Sequence, residues 1–571
     1  MSALDLAEVL WLLLAALGLN LAVGFGGQPM LGQGAFVAIG AYGTVLLTDR
    51  ADLPLGVSAS LTVTGAGVAG WLVAFGSSRL RGAYLGLATW GLAWLVYAAL
   101  TAFPATFGGS QGLVRPAPAR LVSRFLGIEV TLTPQVHAVV AAVLCAAVVL
   151  VTRSIARGPV GLDLAALRSG PAAAESLGIP GAALRRSTLA ASAALGALSG
   201  AGTAVLLGLV APGDVSPLLS VELLVAVLIG GTASVIGPVI GVAVLIALPA
   251  LADALSGAAG VDVERSRGVV TAALLLAVVA LRPRLTRRDQ AAASSPAPPE
   301  AAAEVPERRP IGDVVLAATG LRHSYGGVRV LDGIDLDVRA GEVHALVGPN
   351  GSGKTTTLRL LAGAITVQGG HVRVDGADVT GLDQRGRVLA GVGRTNQSTA
   401  LFPGLTVVDH LRAGARSTER AGVAWRAVLR TPSWRSASAR SGDRVTRTAV
   451  HAGLSDRLAV TPERLTHGEQ RLLQVARAAS TEPRVLLLDE PAAGMSLAES
   501  DRLASYVRTL AGNGVAVLLV EHDMRFVAQV ADRMTVLAGG RVVATGRPDD
   551  VRRQPVVHEV YFGGVAPGGA R

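Results

Sequence analysis

Over residues 1–282 the chain is built from long apolar runs broken by Gly and Pro. Stretches of about 17–25 apolar residues, the length that crosses a bilayer core, fall near 6–26, 30–48, 56–78, 83–103, 136–152, 188–211, 219–236, 237–255 and 266–282. Nothing constrains the fold more. Backbone inside lipid must satisfy its own hydrogen bonds, and runs of this length do so as helices. The reading is a polytopic α-helical membrane domain of about nine spans over 1–286. It is followed by a linker at 287–312 and a charged globular domain at 313–571.

Charge distribution gives the orientation. Arginines cluster in short breaks between the apolar runs: Arg79 and Arg81, Arg153 and Arg157, Arg185 and Arg186, and Arg282 to Arg288. That is the positive-inside pattern. Nine crossings then leave the acidic N-terminus outside and everything after 283 in the cytoplasm. The net charge of +10 reads as topology and not as a nucleic-acid surface, because no basic face carries interleaved aromatics. Asp5 and Glu8 stand where a signal peptide carries basic residues, so the first run reads as a retained span. The single cysteine, Cys145, allows neither an internal disulfide nor a zinc site built on paired CxxC motifs.

Two stretches look irregular at membrane depth: GFGGQPMLGQGAF (24–36) and IGGTASVIGPVIG (229–241). Gly-rich breaks either line a translocation path or let helices pack through small residues. Gln28, Gln33 and Glu222 are candidate path positions on the first reading. The segment 153–187 is the longest cytoplasmic loop, with a helix-like piece that is either solvated or docks on a cytoplasmic partner. The linker is rich in Ala, Pro and Glu, has no apolar face, and reads as a tether.

In the second half, VHALV (343–347) is a short buried-strand pattern. GPNGSGKTT follows, then residues at helical spacing. Strand, Gly-rich loop and helix make a P-loop. Gly348, Pro349, Asn350, Gly351, Ser352 and Gly353 would turn backbone N–H groups toward phosphates. Lys354 would reach the β- and γ-phosphates, with Thr355 on Mg²⁺ and Thr356 beside it. Lys354 is the only lysine of the chain; every other residue among its 51 Lys and Arg is arginine. A compact ammonium fits under such a loop where a planar fork does not. RVLLLDEP (484–491) is a buried strand ending in two carboxylates. Asp489 would hold Mg²⁺ through water, and Glu490 would be the general base. AVLLVEHD (516–523) ends at His522, placed for the γ-phosphate.

LTHGEQR (465–471) completes the order P-loop, glutamine, LSGGQ-like segment, acidic strand end and histidine. Over residues 313–571 this resembles the ATPase of ABC transporters, an α/β P-loop domain. The resemblance implies that Tyr325 stacks on adenine and that Gln397 touches Mg²⁺. It also implies that Thr466, Gly468 and Glu469 belong to a signature that closes over a partner's ATP. The sequence departs from the family pattern at Thr466, which replaces serine, and at His467, which replaces the first signature glycine. GRTNQSTALFPGLTVVDHL (393–411), LLLDEPAAGMS (486–496), VEHDMRFV (520–527) and VVHEVYFGG (557–564) resemble the branched-chain amino-acid importer ATPase, although that branch carries an aromatic where Asn396 stands. GLNLAVGFGGQPMLGQGAFVAIGAY (18–42), RGAYLGLATWGLA (81–93), FGGSQGLV (107–114) and LLSVELLVAVLIGGTASVIGPVIG (218–241) resemble the permease of the same system.

The resemblance implies a permease fused to its ATPase, using ATP and Mg²⁺ in the cytoplasmic membrane. It would work as a homodimer or with a second permease and a second ATPase, fed by an extracellular solute-binding protein. The segment 163–179 would be the coupling element. Close relatives take urea or short amides, so the solute stays open. A half-exporter shares this domain order, but its helices extend far into the cytoplasm, and the loops here are short. A membrane sensor driven by ATP is a third reading with no motif of its own.

Overall fold

The computed structural model describes residues 2–76, 83–114, 120–123, 128–258, 310–395, 400–417 and 432–562. Most of the linker, the segment 266–282 and Gln397 lie outside the described residues. The chain divides into two compact units, one of 1–164 with 181–292 and one of 165–180 with 293–571.

The first unit is helical. Its principal helices are α1 (Ala3–Asn20), α2 (Gln33–Asp49), α3 (Leu55–Gly76), α4 (Ala83–Ala102) and α5 (Pro134–Ala156). After α6 (Pro159–Ser169), which enters the second unit at residue 165, and α7 (Pro171–Ser176), which belongs to that unit, the first unit resumes with α8 (Gly181–Leu207), α9 (Pro217–Gly230) and α10 (Gly237–Ala258). Ser2 and Asp5 form the capping box that starts α1, and Thr133 caps α5. Among the described residues, five helices are long and apolar enough to cross a membrane: Ala3–Phe25, α3, Tyr84–Ala102, α5 and α8. α9 has 14 residues and rises roughly 21 Å, short of the roughly 30 Å hydrocarbon core. The apolar run at 219–236 therefore holds less helix than its hydropathy predicts, because the backbone leaves the helix at Gly231 (φ 110°).

α8 packs against α1, α2 and α3 at the centre of this unit. The contacts are backbone-close. A Cβ on Gly40 would collide with Ala197 O, and one on Gly200 with Val37 O. Both irregular stretches are broken helix, and side chains satisfy them. α1 runs into a π-type turn at Leu21–Phe25, and the chain is irregular until α2. There Thr89 Oγ1 accepts from Leu31 N–H at 3.0 Å and Ser220 Oγ from Gly34 N–H at 2.8 Å. Asn20 clamps the second break, donating to Ser234 O (2.9 Å) and accepting from Ala233 N–H (3.2 Å).

Gln28 and Gln33 also do structural work. Gln28 Nε2 donates to Arg185 O (3.0 Å) and Thr188 Oγ1 (2.8 Å). Gln33 Nε2 donates to Ala15 O (3.2 Å) and Ser192 O (3.1 Å), joining α1 to α8. Glu222 lines a cavity of about 600 Å³ with Glu8, Asp214, Ser199 and Thr203.

In the second unit, β1 (Val314–Tyr325), β2 (Val328–Arg339), β4 (Gly369–Val374) and β5 (Ala377–Asp378) form an antiparallel sheet ordered β2-β1-β4-β5. A second sheet is ordered β6-β7-β8-β3-β9-β10. Its strands are β3 (Val343–Val347), β6 (Val392–Arg394), β7 (Val485–Asp489), β8 (Ala516–Val520), β9 (Arg533–Ala538) and β10 (Arg541–Gly546). Pairing is parallel except between β9 and β10. β3, β7 and β8 are buried at every position, as mostly apolar runs require in a sheet covered on both faces. The piece 165–180 lies in this unit, broken between α6 and α7 at Gly170–Pro171. Arg385 of α12 (Gln384–Leu389) donates to Gly178 O at 2.7 Å, and α13 (Val407–Ser417) and α14 (Pro432–His451) come later in the chain.

Candidate nucleotide site

The sheet order assembles the site. β8 lies between β7 and β3, with Asp489 opposite Val520 and Val520 opposite Leu346. The loop after β3, the carboxylates after β7 and the histidine after β8 therefore emerge side by side at the carboxyl edge, where open α/β sheets place ligands.

The loop after β3 has glycines at φ values that side chains rarely adopt: 153° at Gly348, 79° at Gly351 and 104° at Gly353. A Cβ on Gly348 would meet Leu537 O, and one on Gly353 would meet the Leu331 side chain. Helix α11 (Lys354–Leu361) starts directly after the loop, aiming its N-terminal N–H groups back at it. Lys354 is 8% exposed, and its ammonium donates to Gly348 O (2.7 Å) and Pro349 O (2.8 Å). Burial lowers its pKa, against the pull of Glu490 and Asp489. Asn350 is exposed, while Thr355 and Thr356 are half-buried in the first turn of α11.

Asp489 is 1% exposed. Burial raises its pKa, opposed first by Arg394, whose Nη2 lies 3.9 Å from Oδ2. Among the described residues neither carboxylate oxygen has a hydrogen-bond donor, and Ser352 Oγ is likewise buried without a partner. Buried polar atoms left open in this way fit a site that takes Mg²⁺ and phosphate. Glu490 sits at φ 47° with its N–H on Val520 O (2.9 Å). His522 is two-thirds exposed, as a ligand contact needs. Tyr325 is 45% exposed and edge-on to His323.

The signature residues are built separately, at the start of α15 (His467–Ala479). Thr466 is its N-cap, and Glu469 returns the bond in a capping box. Gly468 is buried and His467 exposed. The His467 ring lies against the loop after Glu490: a Cβ on Gly494 would be 3.3 Å from His467 Cε1.

Three neighbours carry no signal in the sequence that marks them. Thr395 Oγ1 accepts from Asp489 N–H at 3.2 Å. Arg394 faces Asp489. Glu521 is 1% exposed and accepts from Ala492 N–H (2.9 Å) and His522 N–H (3.1 Å). It ties the loop after Glu490 to the segment bearing His522, while burial raises its pKa against these bonds.

Residues 6–279 match the permease component of the branched-chain amino acid transport system, and residues 331–493 match the ABC transporter family. The high-affinity branched-chain amino acid transport ATP-binding protein LivG of Salmonella typhimurium is 33% identical over 250 residues, which are 44% of this chain and 98% of that protein. Its counterpart BraF of Pseudomonas aeruginosa is 34% identical over 251 residues, again 44% and 98%. The chain belongs to the ABC transporter family and joins a permease of the branched-chain amino acid type to an ABC ATPase in one polypeptide.

Proposed function

We propose that this chain is half of an ATP-driven importer of branched-chain or related amino acids in the cytoplasmic membrane. One observation carries the reading: the permease match at 6–279 is continued in the same chain by a nucleotide site. The domains are taken as permease 1–286, tether 287–312 and ATPase 313–571. A complete machine has two of each, so the chain works as a homodimer or with a second permease and ATPase. An extracellular solute-binding protein delivers the solute.

At the ATP site the loop Gly348–Gly353 and the N-terminus of α11 bind phosphates through N–H groups. Lys354 leaves its two carbonyls and turns to the β- and γ-phosphates. Thr355, Gln397 and Asp489 would hold Mg²⁺, which would neutralise phosphate charge when bound. Glu490 orients and deprotonates the attacking water, and His522 contacts the γ-phosphate. Tyr325 stacks on adenine. Thr466, Gly468 and Glu469 form the face that meets the partner's ATP. The hydrogen bond from Arg385 to Gly178 O supports 163–179 as the coupling element.

The test is ATPase rate in lipid nanodiscs, alone and with binding proteins loaded with leucine, other amino acids, urea or amides. Stimulation by one loaded binding protein is expected and names the solute class. A basal rate unmoved by every binding protein but raised by lipophilic compounds would replace import with export.

A further inference from the structure

The anion-facing end of the signature helix is already occupied. Within α15, Glu469 Oε2 takes the Thr466 N–H at 2.9 Å, and Arg457 Nε lies 3.0 Å from the other Glu469 oxygen. The next open donor of the first turn is Gly468 N–H. It donates to Glu499 Oε1 at 3.1 Å, and Thr466 Oγ donates to the same oxygen at 3.4 Å. Glu499 comes from another helix, α16 (Leu497–Gly512), where it completes its own capping box: Ser496 N–H and Ser496 Oγ both reach Glu499 Oε2, at 3.0 and 2.8 Å. One carboxylate thus caps two helices. Glycine at 468 permits it, since a Cβ there would collide with the Glu499 carboxyl carbon.

We propose that Glu499 stands in for phosphate on the signature segment and holds that half-site shut until a partner's ATP displaces it. This rests on the reading that Thr466 and Gly468 close over a partner's ATP. A phosphate oxygen and a carboxylate compete for one N–H at a helix N-terminus, and two anions sharing it repel. Displacement does not unfold anything. Glu499 gives up its Oε1 bonds and keeps Oε2 on Ser496, so α16 stays capped. Glu499 is therefore a positioning residue that sets the ATP concentration at which the sandwich closes. The loop between Glu490 and Glu499 passes over His467, so the release is felt next to the general base.

The experiment uses the full chain in nanodiscs carrying Glu490→Gln, with ATP retained after washing measured against ATP concentration. Glu499→Gln keeps a residue that supports a capping box but loses the charge; Glu499→Ala loses the contact. Both should lower the half-saturating ATP concentration, by about twofold to tenfold, with Ala the larger. ADP affinity, which needs no signature, should not move. Gly468→Asp separates the two ideas. If it abolishes ATP retention while both Glu499 variants leave the midpoint unchanged or higher, the displacement idea is wrong and the signature reading stands. If Gly468→Asp leaves retention intact, the signature reading itself fails and the proposal falls with it.

Discussion

Glycine does different work in the two units. In the helical unit Gly40, Gly200 and Gly241 sit at ordinary helical dihedrals and are small because a neighbouring backbone is there: Ala197, Val37 and Ala226. In the ATPase unit Gly348, Gly353 and Gly494 are glycine because their φ angles are positive. Four polar side chains differ in the same sense. Asn20 and Gln33 of the helical unit have both ends of their amides bonded, whereas Asp489 and Ser352 of the ATPase unit keep buried oxygens open. The amides of Asn20 and Gln33 are closed within their own unit, whereas the oxygens of Asp489 and Ser352 fit a ligand. Mutations should therefore break packing in one and chemistry in the other.

The largest effect should come from Glu490→Gln. Turnover falls by about 10²–10⁴-fold, the worth of a general base, while equilibrium ATP binding persists. Phosphate release at normal rate would remove Glu490 from that role. Next is Gly200→Leu, which drives a side chain into Val37 O and costs about 1–3 kcal/mol or more. It should lower the unfolding temperature in detergent and leave nucleotide affinity alone; an equal loss of both would erase the contrast between the units. Lys354→Arg should weaken ATP binding about tenfold, some 1.4 kcal/mol, with no change in thermal stability. Unchanged affinity would make the lone lysine incidental.

The smallest effect is a pH dependence of the ATPase unit. His344 is buried between Asp337 O and Thr535 Oγ1, and burial lowers its pKa to about 4. Below 6.5 the unfolded chain takes up a proton that the native His344 refuses, so stability falls with pH. The step from pH 6.5 to 5.5 costs about 1 kcal/mol, and the loss continues to about pH 4. His344→Gln should flatten that slope in urea unfolding.

What the sequence reveals follows from how local each feature is. β3, β7, β8 and the start of α11 were readable because a five-residue, mostly apolar strand followed by a glycine loop or ending in carboxylates or a histidine is a complete local signal. The breaks within 24–36 and 229–241 were readable for the same reason. The length of α9 was not, since hydropathy stays high across a backbone that has left the helix. Gln28 and Gln33 read as path positions because an amide at membrane depth is costly, but, apart from Ala15 O, the partners their Nε2 groups bond lie on α8, more than 150 residues away. Glu521 and Glu499 escaped notice for a related reason. Each is an ordinary acidic residue whose meaning lies in backbone N–H groups 29 and 31 residues distant.

The lone lysine has a practical consequence. An amine-directed acylating reagent finds one side chain here, folded against two loop carbonyls, so labelling reads out the opening of that loop with no background from other side chains. Nucleotide should protect it. An endoprotease specific for lysyl bonds has a single scissile peptide, Lys354–Thr355, at the head of α11. The chain thus carries its own reporter of whether the ATP pocket is filled, and needs no engineered probe.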